Sequence, residues 1–187
     1  LSIRRQRQMC IRDRSRSASA RKAILFTRCF SVPAFSWSAA PMTDYSELLN
    51  EGRVKRGRFS QKQVQGCLRI ARRDLKTAKA LVETSPEWAF NIAYNAMHQA
   101  GRAFMFRAGY RAAGEGHHVA VVRFLQKGLG PEYADALAVM DRMRRTRNRA
   151  TYDMVGTVSR KQAEEAISTA SEFVSRIAQL VRRSGQN

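Results

Sequence analysis

Five guanidinium groups fall within eight residues, at Arg142, Arg144, Arg145, Arg147 and Arg149, with Asn148 among them and Tyr152 and Asp153 just beyond. Like charges three and four apart on a helix repel, so folding alone does not favour such a cluster. Two explanations compete. One is a solvated basic face. The other is an anion site, with RNA phosphate the foremost ligand. Arg144 and Arg147 lie three apart and can share a helix face, and Asn148 adds a donor and an acceptor beside them. Guanidinium forks match pairs of phosphate oxygens, and such a site binds with an affinity that falls steeply with salt. The expected nucleic-acid contacts are Arg144, Arg145, Arg147, Asn148 and Arg149.

Cleavage asks for more than binding. Breaking an RNA backbone without a metal uses the neighbouring 2′-hydroxyl and a group that can move a proton near neutral pH. Arginine cannot, and a tyrosine with a free pKa near 10 is mainly a donor. The catalytic candidates in this stretch are Arg147, Tyr152 and Asp153, the last only if its pKa is suitably placed. The sequence has no glycine-rich phosphate loop, no metal-ligand cluster, no Ser/His/Asp set and no pair of carboxylates at inward helical spacing. No cofactor or metal is therefore expected.

The arginines need a scaffold, and helical periodicity supplies one. Ser60 begins a capping box with Gln63, and Val64, Leu68, Ala71, Leu75, Ala78 and Val82 recur at steps of three and four, which predicts a helix over 61–83. Ser85-Pro86-Glu87 starts a second over 86–108, whose Ala89, Ala93, Ala96, Ala100 and Ala103 imply close approach to a neighbour. Tyr94, His98 and Arg102 form a second stripe on it, facing a partner helix or solvent, with His98 read as structural. A third helix follows His117 and His118, which point about 100° apart, suit capping or packing better than a shared metal, and precede a stop before Gly130-Pro131. The fourth opens at Pro131 and runs into the arginine cluster. Ser159 and Gln162 cap a fifth over 160–182. No stretch alternates as a strand would. The expected fold is all-α, an up-and-down bundle of four to five helices with a disordered basic N-terminal extension.

The chain has 187 residues, a formal charge of +19 and a pI near 11.2. Residues 1–41 contribute +8 of that charge, so the remainder is still basic at +11. Such a balance favours nucleic acid or an anionic surface as partner. Cys10, Cys29 and Cys67 are too few and too scattered for a disulfide framework, which suggests a reducing, cytoplasmic setting. No apolar run approaches the length of a membrane span.

The opening LSIRRQRQMCIRDRS resembles a translated sequencing-adapter read, and Ala18 to Pro41 has the composition of a transit peptide. The expectation is that residues 1–41 are non-native or disordered sequence and that Met42 is the start. Residues 42–59 read as an arm and linker with a helical turn at Tyr45–Leu49, 60–183 as the bundle and 184–187 as a tail.

ARRDLKTAKAL, WAFNIAYNAMHQAGRAFMFRAGYR, GEGHH, RMRRTRNRATYD and AEEAISTASEFV together resemble the HEPN domain from Met42 to about Arg182. The similarity is to small stand-alone bacterial HEPN proteins, some of which pair as toxins with a minimal nucleotidyltransferase antitoxin. The resemblance implies a homodimer. In ribonuclease members, an Arg followed by a polar residue, with a His five positions after the Arg, forms the active motif. Here the Arg falls on Arg147, the polar residue on Asn148 and the His position on Tyr152. A Tyr two residues beyond, modified by the nucleotidyltransferase in some toxins, is replaced by Met154. The combined expectation is a protein that binds RNA or another phosphate-bearing ligand. The alternative is a noncatalytic dimerisation or interaction module in which Asp141 and Asp153 neutralise the arginines.

Overall fold

The computed structural model describes residues 43–150 and 158–183, the side chains of 148–150 and 183 excepted. In chain order the elements are α1 (Ser46–Asn50), β1 (Val54–Arg56), α2 (Gln61–Leu81), α3 (Pro86–Arg107), β2 (Tyr110–Ala112), α4 (His117–Gly128), α5 (Ala134–Ala150) and α6 (Arg160–Arg183). The molecule is a mainly helical bundle. Residues 1–41, and with them the expected extension, lie outside the described residues, as do Met42 and 184–187.

Both predicted capping boxes form. Ser60 Oγ accepts from the Gln63 backbone N–H while Gln63 Oε1 accepts from the Ser60 N–H, at 3.3 and 2.8 Å. Ser159 and Gln162 repeat the exchange at the start of α6. These reciprocal bonds satisfy donors that a helix start leaves open. Downstream of the first, Val64, Leu68, Ala71 and Ala78 turn inward as their spacing requires. Asp74 joins them in the interior, where its carboxylate accepts from Asn95 Nδ2 of α3 at 2.6 Å and pairs with Arg73 at 2.8 Å.

α3 is the central element, packed against α2, α4, α5, α6 and β2. Its alanine stripe, Ala89, Ala93, Ala96, Ala100 and Ala103, is fully buried. Small side chains let helix axes approach, and Gly101 marks such a point against α4. A Cβ there would sit 2.7 Å from Val121 Cγ1 and 2.8 Å from Leu125 Cδ1, both on α4. Gly101→Val should therefore cost about 1–3 kcal/mol through overpacking, read as a lowered urea midpoint at unchanged m-value.

Three details differ from the sequence expectation. The linker after α1 is a strand: β1 pairs antiparallel with β2, aligning Val54 with Ala112, Lys55 with Arg111 and Arg56 with Tyr110. Val54 is buried while Lys55 and Arg56 are exposed, so Val54, with Tyr110 and Ala112 of β2, holds a short ribbon onto the helices. The helical turn begins at Ser46 rather than Tyr45, leaving Tyr45 free to stack on Phe124 of α4 with ring centroids 4.0 Å apart. Pro131–Tyr133 is a 3₁₀ turn, and α5 proper starts at Ala134. Among the described residues no helix is long and apolar enough to cross a membrane.

Candidate functional site

α5 carries the arginine cluster on the helix whose Leu137, Met140 and Met143 enter the core. That anchoring fixes which arginines face the bundle. Arg144 and Arg145 both bind Asp141, Arg144 Nε at 2.9 Å and Arg145 Nη2 at 2.9 Å, with Arg145 the more exposed. Arg142 is exposed. Arg147 turns inward, with its guanidinium 5.8 Å from the centroid of the Tyr94 ring and Nη1 3.3 Å from His118 Nε2. Asn148 and Arg149 lie on the α5 backbone, but their side chains are outside the described residues. Tyr152, Asp153 and Met154 are outside them altogether.

The sequence reading gave His98 a structural role and His117 and His118 capping or packing roles, and set none of them beside Arg147. His118, the second residue of α4, stands beside Arg147 although 29 positions separate them. Its Nδ1 is 2.9 Å from Tyr94 Oη, and its ring centroid is 4.3 Å from that of His98. Tyr94 and His98 are the two buried members of the α3 stripe, so that stripe faces α4 and α5 rather than solvent. His117 is exposed. Gly116, at φ 78°, supplies the left-handed entry to α4, and the helix turn of about 100° per residue sends the two histidines in different directions.

A guanidinium has no lone pair to accept with, so Arg147 must donate and His118 Nε2 must accept. The ring proton then resides on Nδ1, which donates to Tyr94 Oη. This arrangement requires a neutral imidazole. Burial, followed by the electrostatic influence of Arg147, His117 and Arg144, lowers the His118 pKa from its ordinary value. Burial, then His118, Arg102, Arg147 and His117, pushes His98 down to about 3. Burial also pushes the Tyr94 phenol up to about 12 against the opposing pull of Arg147 and Arg144. At neutral pH the cluster is two neutral imidazoles and a protonated phenol beneath a cationic guanidinium.

The depressed His98 pKa ties stability to pH. An unfolded chain has an ordinary imidazole, which binds its proton near pH 6.5, while the native ring resists protonation down to about 3. Its contribution is complete above about pH 6.5 and is lost as pH falls toward about 3, at up to about 1.4 kcal/mol per pH unit. His118 acts in the same direction. Urea denaturation between about pH 7 and pH 5 should show this slope, and His98→Phe should reduce it.

Chemically, Arg147 can meet an anion and His118 can accept a proton beside it. Interior position agrees with the structural role expected of His98, whose Nε2 is buried with no hydrogen-bond partner among the described residues. Among those residues, no three His, Cys, Asp or Glu side chains cluster as metal ligands would.

The crystal structure of TT1696 from Thermus thermophilus has a similar fold, with a TM-score of 0.51 and 19% identity, covering 63% of this chain and 97% of that one. At that identity the likeness concerns the fold alone. A comparison with curated proteins found no match. A sequence model of the HEPN domain, however, matches residues 64–180, which is more than half of the chain and runs from the first turn of α2 to the end of α6. The chain belongs to the HEPN domain family.

Proposed function

We propose that this HEPN protein binds RNA or another phosphate-bearing ligand at the α5 end of the bundle. The observation that carries this reading is the placement of Arg147 over Tyr94 and against the neutral imidazole of His118. Arg147 supplies the charge for phosphate, and Arg144 stands one turn away. Arg145, Asn148, Arg149 and Tyr152 are further proposed contacts. If the bound strand is cleaved, His118 is the proton acceptor best placed to act on a 2′-hydroxyl beside Arg147. Asp153 belongs to the same catalytic proposal. A homodimer and a cytoplasmic setting complete it, with a minimal nucleotidyltransferase antitoxin as the partner to seek.

One observation favours a second reading. Asp141 pairs with both Arg144 and Arg145, as expected of a noncatalytic dimerisation or interaction module stabilised by ion pairs. A titration separates the two. Labelled single-stranded and structured RNAs, titrated against the protein over a salt series without added metal, should bind tightly at low salt and progressively less as salt rises. The RNA recovered from the same mixtures reports cleavage. Absence of binding at low salt would leave the interaction module standing.

A further inference from the structure

The cations of this protein are sorted by face. On α4, Arg123 pairs with Glu47 and Glu51, and Lys127 pairs with Glu47. On α6, Arg160 pairs with Glu83 and Glu164, and Arg176 with Glu172. The opposite pattern holds from residue 52 to residue 73, where eight Lys or Arg occur without a single acid. Residues 88–114, covering most of α3 and all of β2, likewise contain three Arg and no acid. Among the described residues, acid partners within this region reach only Arg53, through Glu51, and Arg73, through Asp74.

The β1–β2 ribbon concentrates this charge. Lys55 and Arg111 are cross-strand neighbours, both exposed, and Arg56 and Arg58 follow on the same strand and its extension. Like charges set directly opposite one another destabilise a strand pair. A lysine on a short edge strand can be explained as protection against edge-to-edge association. That explanation does not require an opposed arginine, nor does it account for the basic run continuing along the exposed face of α2 through Lys62, Arg69 and Lys76.

The α3 stripe sets the distance between the ribbon and the Arg147 site. Tyr94, His98, Arg102 and Phe106 follow at every fourth residue. Arg147 lies over Tyr94 at one end, and Arg102 lies over Phe106, 5.3 Å from its centroid, at the other. Phe59 stacks on Phe106 with centroids 4.3 Å apart and planes 8° from parallel. The Gly57 N–H donates to Gly109 O at 2.9 Å, closing the ribbon beside these rings. The twelve helical steps from Tyr94 to Phe106 span about 18 Å, about five stacked nucleotides at about 3.4 Å each. Tyr94 and His98 are buried and set only the spacing, but the half-exposed Phe59 and Phe106 among cations suit a nucleic-acid strand, whose bases stack while its phosphates are neutralised. A second copy of the same acid-free face would be repelled.

We propose that the exposed surface of the ribbon and its extension, through Lys55, Arg56, Arg58 and Arg111, is a second phosphate-contact surface on which an RNA strand held at Arg147 continues. The inference rests on the Arg147 reading, and its test separates the two. The full chain is compared with a variant carrying Lys55→Gln, Arg56→Gln, Arg58→Gln and Arg111→Gln, all exposed positions, with circular dichroism confirming the fold. The probes are a 5′-phosphorylated uridine dinucleotide, too short to reach from one surface to the other, and a uridine oligomer of about 20 nucleotides. The dinucleotide should bind both proteins equally. The oligomer should bind the variant at least about tenfold more weakly, with its log K against log[salt] slope flattened by about 3, from four contacts at about 0.7 each. An unchanged oligomer slope beside normal dinucleotide binding would overturn the ribbon surface and leave the Arg147 site intact. Ribbon-dependent oligomer binding that is indifferent to Arg147→Ala would overturn the continuation and the Arg147 site together. Phosphatidylserine vesicles serve as the other polyanion, and ribbon-dependent binding to them without oligomer binding would reject RNA as the occupant.

Discussion

Exchange of Arg147 for alanine is expected to weaken binding of a short phosphorylated RNA by between about tenfold and a hundredfold. A hydrogen bond to a charged group is worth about 1.5–3 kcal/mol, and each 1.4 kcal/mol is about a factor of ten in affinity. Arg145→Ala should matter far less, because Arg145 is more exposed and shares Asp141 with Arg144. Arg147→Lys should recover part of the loss by keeping the charge, but not the forked geometry that meets two phosphate oxygens. Isothermal titration at low salt checks the series. Equal losses for Arg145→Ala and Arg147→Ala would show a diffuse basic face rather than a site. His118→Gln removes the titratable ring beside Arg147 while leaving a polar side chain. If RNA is cleaved, this change should abolish cleavage and leave most binding, a separation that a purely packing role for His118 does not predict.

The largest stability effect is expected at Phe124, whose replacement by alanine should cost about 3–5 kcal/mol. Phe124 is fully buried, and three other rings meet it. Tyr45 stacks on it at 4.0 Å, Tyr110 approaches at 5.3 Å and Phe104 at 6.3 Å. Those neighbours belong to the N-terminal arm, β2 and α3, so one deletion opens a cavity where three segments are joined to α4. Since whole-domain stabilities lie at about 5–15 kcal/mol, the variant should be close to unfolding at 37 °C. Urea denaturation followed by far-ultraviolet circular dichroism measures the cost. A loss below about 1 kcal/mol would mean that the arm and ribbon do not depend on this aromatic junction.

The helices were legible because their signals are local. Ser60 with Gln63 and Ser159 with Gln162 announce helix starts within four residues, and the apolar steps of α2 and α6 repeat for five turns or more. The strands were not legible for the opposite reason. β1 and β2 are three residues each, lie more than fifty positions apart, and are rich in cations rather than β-branched residues, so only their pairing defines them. The same divide runs through the site. Arg144 and Arg147 stand out in the sequence by composition. His118 does not, because its importance depends on α4 crossing α3 closely enough, at Gly101, to bring an imidazole against α5. The stripe Tyr94–His98 was visible as a period, yet the period alone could not choose between solvent and the interior. The resemblance put the His position on Tyr152, outside the described residues, whereas the imidazole beside Arg147 comes from another helix.

The bond between Arg147 and His118 also couples two properties that a list of residues would treat as separate. While the guanidinium rests on Nε2, the imidazole's only free lone pair is occupied. A phosphate drawing Arg147 toward itself would uncover that lone pair, so on the proposed reading filling the site would free a proton acceptor next to the ligand. Conversely, protonating His118 sets two cations against each other and expels Arg147 from its resting place toward any anion nearby. Acidity and ligand therefore push the same latch in the same direction, and the protein should take up protons as it binds phosphate near the His118 pKa.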